Sequence, residues 1–200
     1  MLKEAKAGRV KTRLARGVGV ARAAAFYRTA VRLLLTRLTA PRRWVLHLAI
    51  APDGAVATRS LPAGHHRFGQ GSGDLGDRMQ AVMDRLPPGP VVIVGSDCPG
   101  LRAADVAAAF RALGRADVAI APAPDGGYGL VGLRRRPMVP RLFAGVRWSH
   151  RETLADTLRN AAGLDVALLQ PLADVDEAKD LRHPLLRRLV GRLVLPKLTC

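Results

Sequence analysis

The stretch Val91-Val92-Ile93-Val94-Gly95-Ser96-Asp97-Cys98-Pro99-Gly100-Leu101 decides the fold. Four consecutive apolar β-formers between Pro90 and Gly95 predict a short strand covered on both faces, as in a parallel sheet. Asp97 is the first strongly polar side chain beyond its end. Pro99-Gly100 then breaks the chain, and a helix starts over Ala103 to Leu113. Open α/β sheets bind ligands at the carboxyl ends of their strands, which is where this carboxylate falls. The competing role for Asp97 is a plain cap of the turn or of the next helix.

Working outward, strands and helices alternate. Val20 to Leu38 carries Ala21, Ala25, Phe26, Ala30, Leu33, Leu34 and Leu38 at helical spacing with arginines opposite, and Pro41 ends it. Trp44 to Ile50 predicts a strand, Pro52-Asp53-Gly54 a turn, and residues 55–69 irregular chain. Gln70 to Met79 is a glycine-rich loop opening a helix to about Leu86. Asp117 to Ala121 is a second apolar strand, followed by Pro124-Asp125-Gly126-Gly127-Tyr128 and the apolar run Gly129 to Leu133. Ser149 as N-cap with Glu152 three residues on predicts a capping box for a helix over Arg151 to Ala162. Val166 to Leu169 is the last strand, and Ala173-Asp174-Val175-Asp176-Glu177 leads into a terminal helix. The expected fold is a single α/β domain with a mostly parallel sheet over 1–181 and a basic amphipathic tail over 182–200. The basic segment Gly8 to Leu14 is of the kind that hangs from a strand. Almost no strand precedes it, so a shortened first strand is expected.

Composition bounds the function. Arginine supplies most of a formal net charge of +16, scattered through every segment, while aromatic residues are 4% of the 200-residue chain. Nucleic-acid binders cluster their charge and keep aromatics for stacking, so the charge points instead to attraction for anionic substrates. Neither nucleic acid nor a membrane surface is an expected partner. Cys98 and Cys200 are too far apart in type of setting to suggest a disulfide framework, and no signal peptide or spanning run is visible, which fits a cytoplasmic protein. His65-His66 lacks a nearby Asp, Glu or Cys at ligand spacing.

The loops around Asp97, Asp125 and Asp176 all follow expected strands, and on a parallel sheet such loops gather at one edge. Lys11 offers a point charge and Arg13 a planar fork for a diphosphate or triphosphate, although the loop lacks the Walker A spacing. Asp97 with Asp176 would make a hard oxygen site for Mg²⁺ or Mn²⁺. Asp125 is then left to orient a sugar or to accept a proton from an acceptor hydroxyl. A plain Asp-Gly hairpin turn competes with that role, and capping by Ser72 or Asp74 competes with ligand binding in the glycine-rich loop.

Six motifs in order, GRVKTRL (Gly8 to Leu14), QGSGDLGDRM (Gln70 to Met79), GSDCPGL (Gly95 to Leu101), DGGYGLVGL (Asp125 to Leu133), LFAGVRWS (Leu142 to Ser149) and DVDEAKDL (Asp174 to Leu181), resemble one family. It is the bacterial glycosyltransferase-A-like family that includes arsenosugar-biosynthesis glycosyltransferases. The resemblance implies a nucleotide-diphospho-sugar transferase fold, a Rossmann-like α/β/α sandwich with an apolar first strand before the basic loop. It implies a metal-dependent glycosyltransferase taking a nucleotide-sugar donor and a small-molecule acceptor, with Mg²⁺ or Mn²⁺ on Asp97 and Asp176. Gly8, Lys11, Thr12, Arg13, Gly73, Asp74 and Ser96 are the implied nucleotide-binding positions. Gly126, Gly127, Tyr128 and Trp148 are the implied substrate-binding positions, with Asp125 catalytic. Ala5 replaces the usual proline of the first loop, and His150 departs from the usual residue after the Trp-Ser pair. The rival activity is nucleotidyl transfer, because KTRL and DVD also resemble the enzymes that act on phospholactate or molybdopterin; those carry a longer glycine-rich loop. A basic, non-catalytic nucleic-acid-binding protein is the alternative of a different class.

Overall fold

The computed structural model describes residues 1–40, 42–136 and 138–182. In chain order the elements are β1 (Leu2–Lys3), α1 (Thr12–Val18), α2 (Val20–Leu38), β2 (His47–Ala51), β3 (His66–Gly69) and α3 (Leu75–Arg85). There follow β4 (Val91–Val94), α4 (Ala103–Ala112), β5 (Val118–Pro122), β6 (Tyr128–Leu133), α5 (Thr153–Asn160) and β7 (Val166–Leu168). β1, β2 and β3 pair in parallel, in the order β1-β2-β3. A second sheet runs β4-β6-β5-β7, with β6 antiparallel to both its neighbours and β5 parallel to β7. The two sheets meet at Met1, whose ammonium donates to the Val94 carbonyl at 2.7 Å. Burial lowers the pKa of that ammonium to about 6.

Alternation along the strands sorts side chains into two layers. Val118 and Ile120 of β5, with Val91 and Ile93 of β4, pack on Met79, Val82 and Met83 of α3. Leu154 and Leu158 of α5 complete that face. Ala119 and Ala121 face the other way, toward Val106 and Ala109 of α4 and Leu34 and Leu38 of α2. Leu48 and Ile50 of β2 meet Tyr27, Val31 and Leu35 of α2. Helices therefore cover both faces of the sheet, an α/β/α sandwich.

The expected helix over Val20 to Leu38 forms with those bounds, but its buried stripe is Ala23, Ala24, Phe26, Tyr27, Ala30, Val31, Leu34, Leu35 and Leu38. Ala21 and Ala25 are exposed. Residues 55–69 are not wholly irregular, because His66–Gly69 forms β3 against β2. Val92 and Val94 are only half-buried, whereas Val91 and Ile93 are buried. The expected capping box at Ser149 does not form. Ser149 has φ of +55°, and Glu152 precedes α5 without a side-chain cap. Thr153 takes over the work of tying the turn, its Oγ1 lying 2.7 Å from the carbonyls of Arg147 and His150. The basic tail falls outside the described residues apart from Arg182. No helix among the described residues is long and apolar enough to cross a membrane.

Candidate active site

β4 ends at Val94, and Gly95 N–H donates to the Gly129 carbonyl at 3.1 Å, closing the sheet before the loop departs. Ser96 is buried, and its hydroxyl lies 2.9 Å from that of Tyr27, which also accepts from Lys3 N–H. Ser96 therefore ties α2 to the loop. Asp97 follows with its side chain 52% exposed, while its carbonyl accepts from Val175 N–H at 3.0 Å. That backbone bond brings the Asp174–Asp176 segment beside the end of β4. Cys98 is buried, and burial first, then Asp97 and Asp174, pushes its thiol up to about 12, so it is no nucleophile.

Lys11 reaches the same point from the other side. Its backbone is left-handed (φ 49°), and the flanking Val10 and Leu14 are buried. α1 lies close against the Asp174–Asp180 segment because Gly17 has no side chain; a Cβ there would sit 2.7 Å from that of Ala178. Only 5% of the Lys11 side chain is exposed, and its Nζ contacts the Asp97 carboxylate and lies 3.0 Å from Asp176 Oδ1. Burial is the largest single effect on this amine and lowers its pKa, but Asp97 and Asp176 together outweigh it and the net shift is upward. Arg13, 57% exposed, lies 3.4 Å from Asp176 Oδ2. Asp180 Oδ2 accepts from the backbone N–H groups of Asp176 and Glu177 at 2.9 and 2.7 Å, which fixes the turn. Gly8 (φ +78°) turns the loop and Thr12 opens α1.

Two further carboxylates adjoin this pair. Asp125 is exposed at the turn between β5 and β6, with Oδ1 accepting from Gly127 N–H at 2.9 Å. The hairpin reading of the DGG segment is thus correct as geometry, and Asp125 lies near enough to Asp174 for its charge to be felt there. Asp174, absent from the residues expected from sequence, has its pKa raised to about 6 by burial, then by Asp125 and Asp176. Gly126 (φ +87°) cannot be replaced without loss of the turn, since a Cβ would collide with the Arg151 carbonyl. Gly127 supplies the N–H that Asp125 accepts.

Tyr128 and Trp148 form a second group. Their rings meet edge-on with centroids 6.4 Å apart, and Thr157 Oγ1 donates to the Tyr128 hydroxyl at 3.3 Å. Trp148 Nε1 is buried without a hydrogen-bond partner among the described residues. Gly76 at the start of α3 packs against Trp148, which links this group to the glycine-rich loop. In that loop Asp74 and Asp77 form a reciprocal capping box at 2.9 and 3.0 Å. Gly73 (φ +87°) lies against Asp77. The Asp74 carboxylate is spent on the helix start.

The sequence also left a pocket unread. A cavity of about 430 Å³ opens beyond β1 and β2, lined by Lys3, Lys6, Arg9 and Arg78 together with Asp53 and Ser72. Its cations outnumber its acids, and Asp53 Oδ1 accepts from Gly71 N–H at 3.1 Å. The signal was present in the basic residues Lys3 to Arg9 and in the Pro52-Asp53-Gly54 turn after a strand. A larger cavity, about 540 Å³, is apolar and lies between β2 and β4 among residues such as Ala49, Phe68, Val91 and Phe110. Met1 lines it, and none of Lys11, Asp97, Asp125, Asp174 and Asp176 does.

No three His, Cys, Asp or Glu side chains among the described residues converge as a metal cluster. Mg²⁺ and Mn²⁺ sites of transferases need fewer, since one or two carboxylates serve when substrate phosphates and water complete the shell. Asp97 and Asp176 converge on one position, that of Lys11 Nζ, so the donor set fits such an ion.

Comparison with known proteins bears on this arrangement. A structure from Desulfovibrio desulfuricans G20, described as a "putative nucleotide-diphospho-sugar transferase", is 30% identical. It aligns over 96% of this chain and 94% of its own, with a TM-score of 0.77. A Mycobacterium sp. strain JC1 homologue of Mycobacterium tuberculosis rv0371c shares the fold at 18% identity, with a TM-score of 0.51 over 82% of this chain and 83% of its own. No curated protein matches the sequence significantly. The sandwich is thus a nucleotide-diphospho-sugar transferase-like fold. Residues 34–150 match the family model "Uncharacterized protein conserved in bacteria", and the chain belongs to that family, DUF2064.

Proposed function

We propose that this protein is a metal-dependent glycosyltransferase that takes a sugar from a nucleotide-diphospho-sugar and passes it to a small acceptor. The observation that carries the proposal is the meeting of Lys11, Asp97 and Asp176 at the carboxyl edge of the sheet, one loop away from a cationic pocket. The likeness to the Desulfovibrio protein supports it at 30% identity. Fold alone would not, because one fold hosts many chemistries.

In this reading the nucleoside occupies the pocket of Lys3, Lys6, Arg9, Asp53, Ser72 and Arg78. The loop from Gly8 to Arg13 carries its diphosphate toward the carboxylates, with Lys11 and Arg13 as phosphate ligands. Asp97 and Asp176 would hold Mg²⁺ or Mn²⁺, which supplies charge neutralisation for a departing diphosphate. The acceptor oxygen bonds to the anomeric carbon as the bond from that carbon to the diphosphate breaks, and the diphosphate leaves with the electron pair. Asp125, on the exposed turn, would accept the acceptor's proton or hold a sugar hydroxyl. Tyr128 and Trp148 would flank the acceptor, and screening of sugars and arsenical sugars as acceptors would define it.

The test is product analysis with Mn²⁺ present. Release of nucleoside diphosphate from a nucleotide-sugar, dependent on Asp97, is the expected result. Release of pyrophosphate from a nucleoside triphosphate in its place would move the protein to nucleotidyl transfer.

A further inference from the structure

Lys11 stands where two carboxylates converge, and its surroundings are unlike those of an ordinary phosphate-binding lysine. Its side chain is almost wholly buried, whereas Arg13 two residues on is more than half exposed. Its Nζ is shared between Asp97, at the end of β4, and Asp176, beyond β7. Asp174, two residues before Asp176 on the segment that Val175 N–H ties to the Asp97 carbonyl, adds a further carboxylate beside the pair. The backbone of Lys11 is held left-handed, a conformation non-glycine residues seldom adopt, and the α1 hydrogen bond from Ala15 N–H to its carbonyl at 2.8 Å keeps it there.

We infer that Lys11 is the resident counter-ion of the Asp97–Asp176 pair, and that a divalent cation reaches these carboxylates only by displacing its ammonium. This rests on the transferase reading for the identity of the ion and deepens it. One point cannot hold both charges, because an ammonium and a metal ion competing for the same oxygens repel each other. Displaced, the lysine stays tethered within reach of whatever anion accompanies the metal, and a diphosphate is such an anion. The metal and the donor diphosphate therefore load together: each is disfavoured alone, the metal by Lys11 and the diphosphate by the surplus of carboxylates. Arg13 lacks this function, because its partner Asp176 is already engaged by Lys11 and its own side chain faces solvent.

The experiment measures Mn²⁺ binding by the full chain without nucleotide, from the loss of the free-ion electron paramagnetic resonance signal. Lys11→Met should bind one Mn²⁺ at least ~10-fold more tightly than wild type, since removing a charge repulsion worth about 1.4 kcal/mol changes an equilibrium by that factor. Asp97→Asn in the same background should abolish the gain. Equal affinity in wild type and Lys11→Met overturns the inference. Should Lys11→Met fail to fold, wild type decides the matter through amine acetylation read by mass spectrometry. Labelling of Lys11 relative to Lys3 should rise several-fold at saturating Mn²⁺, and unchanged labelling overturns the inference. Donor turnover is scored separately. Tighter Mn²⁺ binding by Lys11→Met without turnover of any nucleotide-sugar sustains the counter-ion and defeats the transferase reading. Mn²⁺-dependent turnover with no affinity gain does the reverse.

Discussion

Asp156 and Asp174 have surroundings that push their carboxyls in opposite directions. Asp156 of α5 is nearly buried and sits between two arginines. Its Oδ2 accepts from Arg147 Nε at 2.7 Å and from Arg147 N–H at 3.1 Å, while Oδ1 accepts from Arg147 Nη2 at 2.7 Å and Arg159 Nη1 at 2.9 Å. The bonds from Arg147 and then Arg159 hold its carboxyl far below the usual range. Asp174 is half-buried beside two more carboxylates, and its carboxyl is raised to about 6. Arginine in surplus around one acid fastens a loop to a helix. Acids in surplus around one buried lysine destabilise the folded state, and such an imbalance is what sites that await a cationic or metal-bound ligand display.

The largest effects should separate the two regions outright. Asp97→Ala is expected to lower donor turnover by ~100-fold or more, the scale of losing a metal's stabilisation of a departing diphosphate, with Tm close to wild type because the side chain is half exposed. Asp156→Ala should do the opposite: Tm falls by several degrees while nucleotide affinity is kept, as paired calorimetry and binding measurements would show. A loss of turnover from Asp156→Ala at unchanged Tm would erase the distinction.

A smaller effect lies in pH. The folded pKa of Asp156 is depressed, so its contribution to stability is present above the unfolded value near 4 and is lost as pH falls through and below it. For Asp174 the sign is reversed. Its folded pKa is raised, so the protonated form favours folding below about pH 4, and that stability disappears as pH rises to about 6. Asp174→Asn should therefore match wild type in acid and exceed it in Tm above pH 6. A constant difference across pH 3 to 8 would show that no titration is involved.

The smallest expected effect is Arg147→Lys, which keeps the charge and loses the fork. Tm should fall less than for Asp156→Ala, with turnover unchanged.

What the sequence carried, and what it hid, follows the range of the interactions. α2 was legible to its ends because an apolar stripe repeats on one helix face, and the Val91–Val94 strand because four β-formers sit between breakers. β3 was not, since His66–Gly69 is four residues with one buried side chain and takes its strand geometry from β2. The capping box at Ser149 has the right spacing, yet Asp156 draws in the backbone of Arg147, and the turn reaches α5 with Thr153 in the tying role. Lys11, Asp97 and Asp176 were each legible as chemistry. Their shared contact was not, because it is made between segments up to 165 residues apart. Asp174 was not legible beside Asp176, since both are half-buried and only their tertiary neighbours tell them apart, Asp176 meeting Lys11 and Arg13. The bond of Ser96 to Tyr27 was not legible either, since its partner lies 69 residues away, whereas the helix cap at Asp74 follows from local spacing.

A thermal-shift panel of nucleoside diphosphates and nucleotide-sugars, with and without Mn²⁺, on wild type and Asp97→Ala tests whether Asp97 joins metal to nucleotide. A ligand that binds only the folded chain raises Tm by mass action, about 2.7 kcal/mol of stabilisation at a hundredfold excess over Kd. The expected result is a Tm rise that needs nucleotide and Mn²⁺ together and is absent in Asp97→Ala. A rise of equal size in the variant, or none with any nucleotide in wild type, would contradict it.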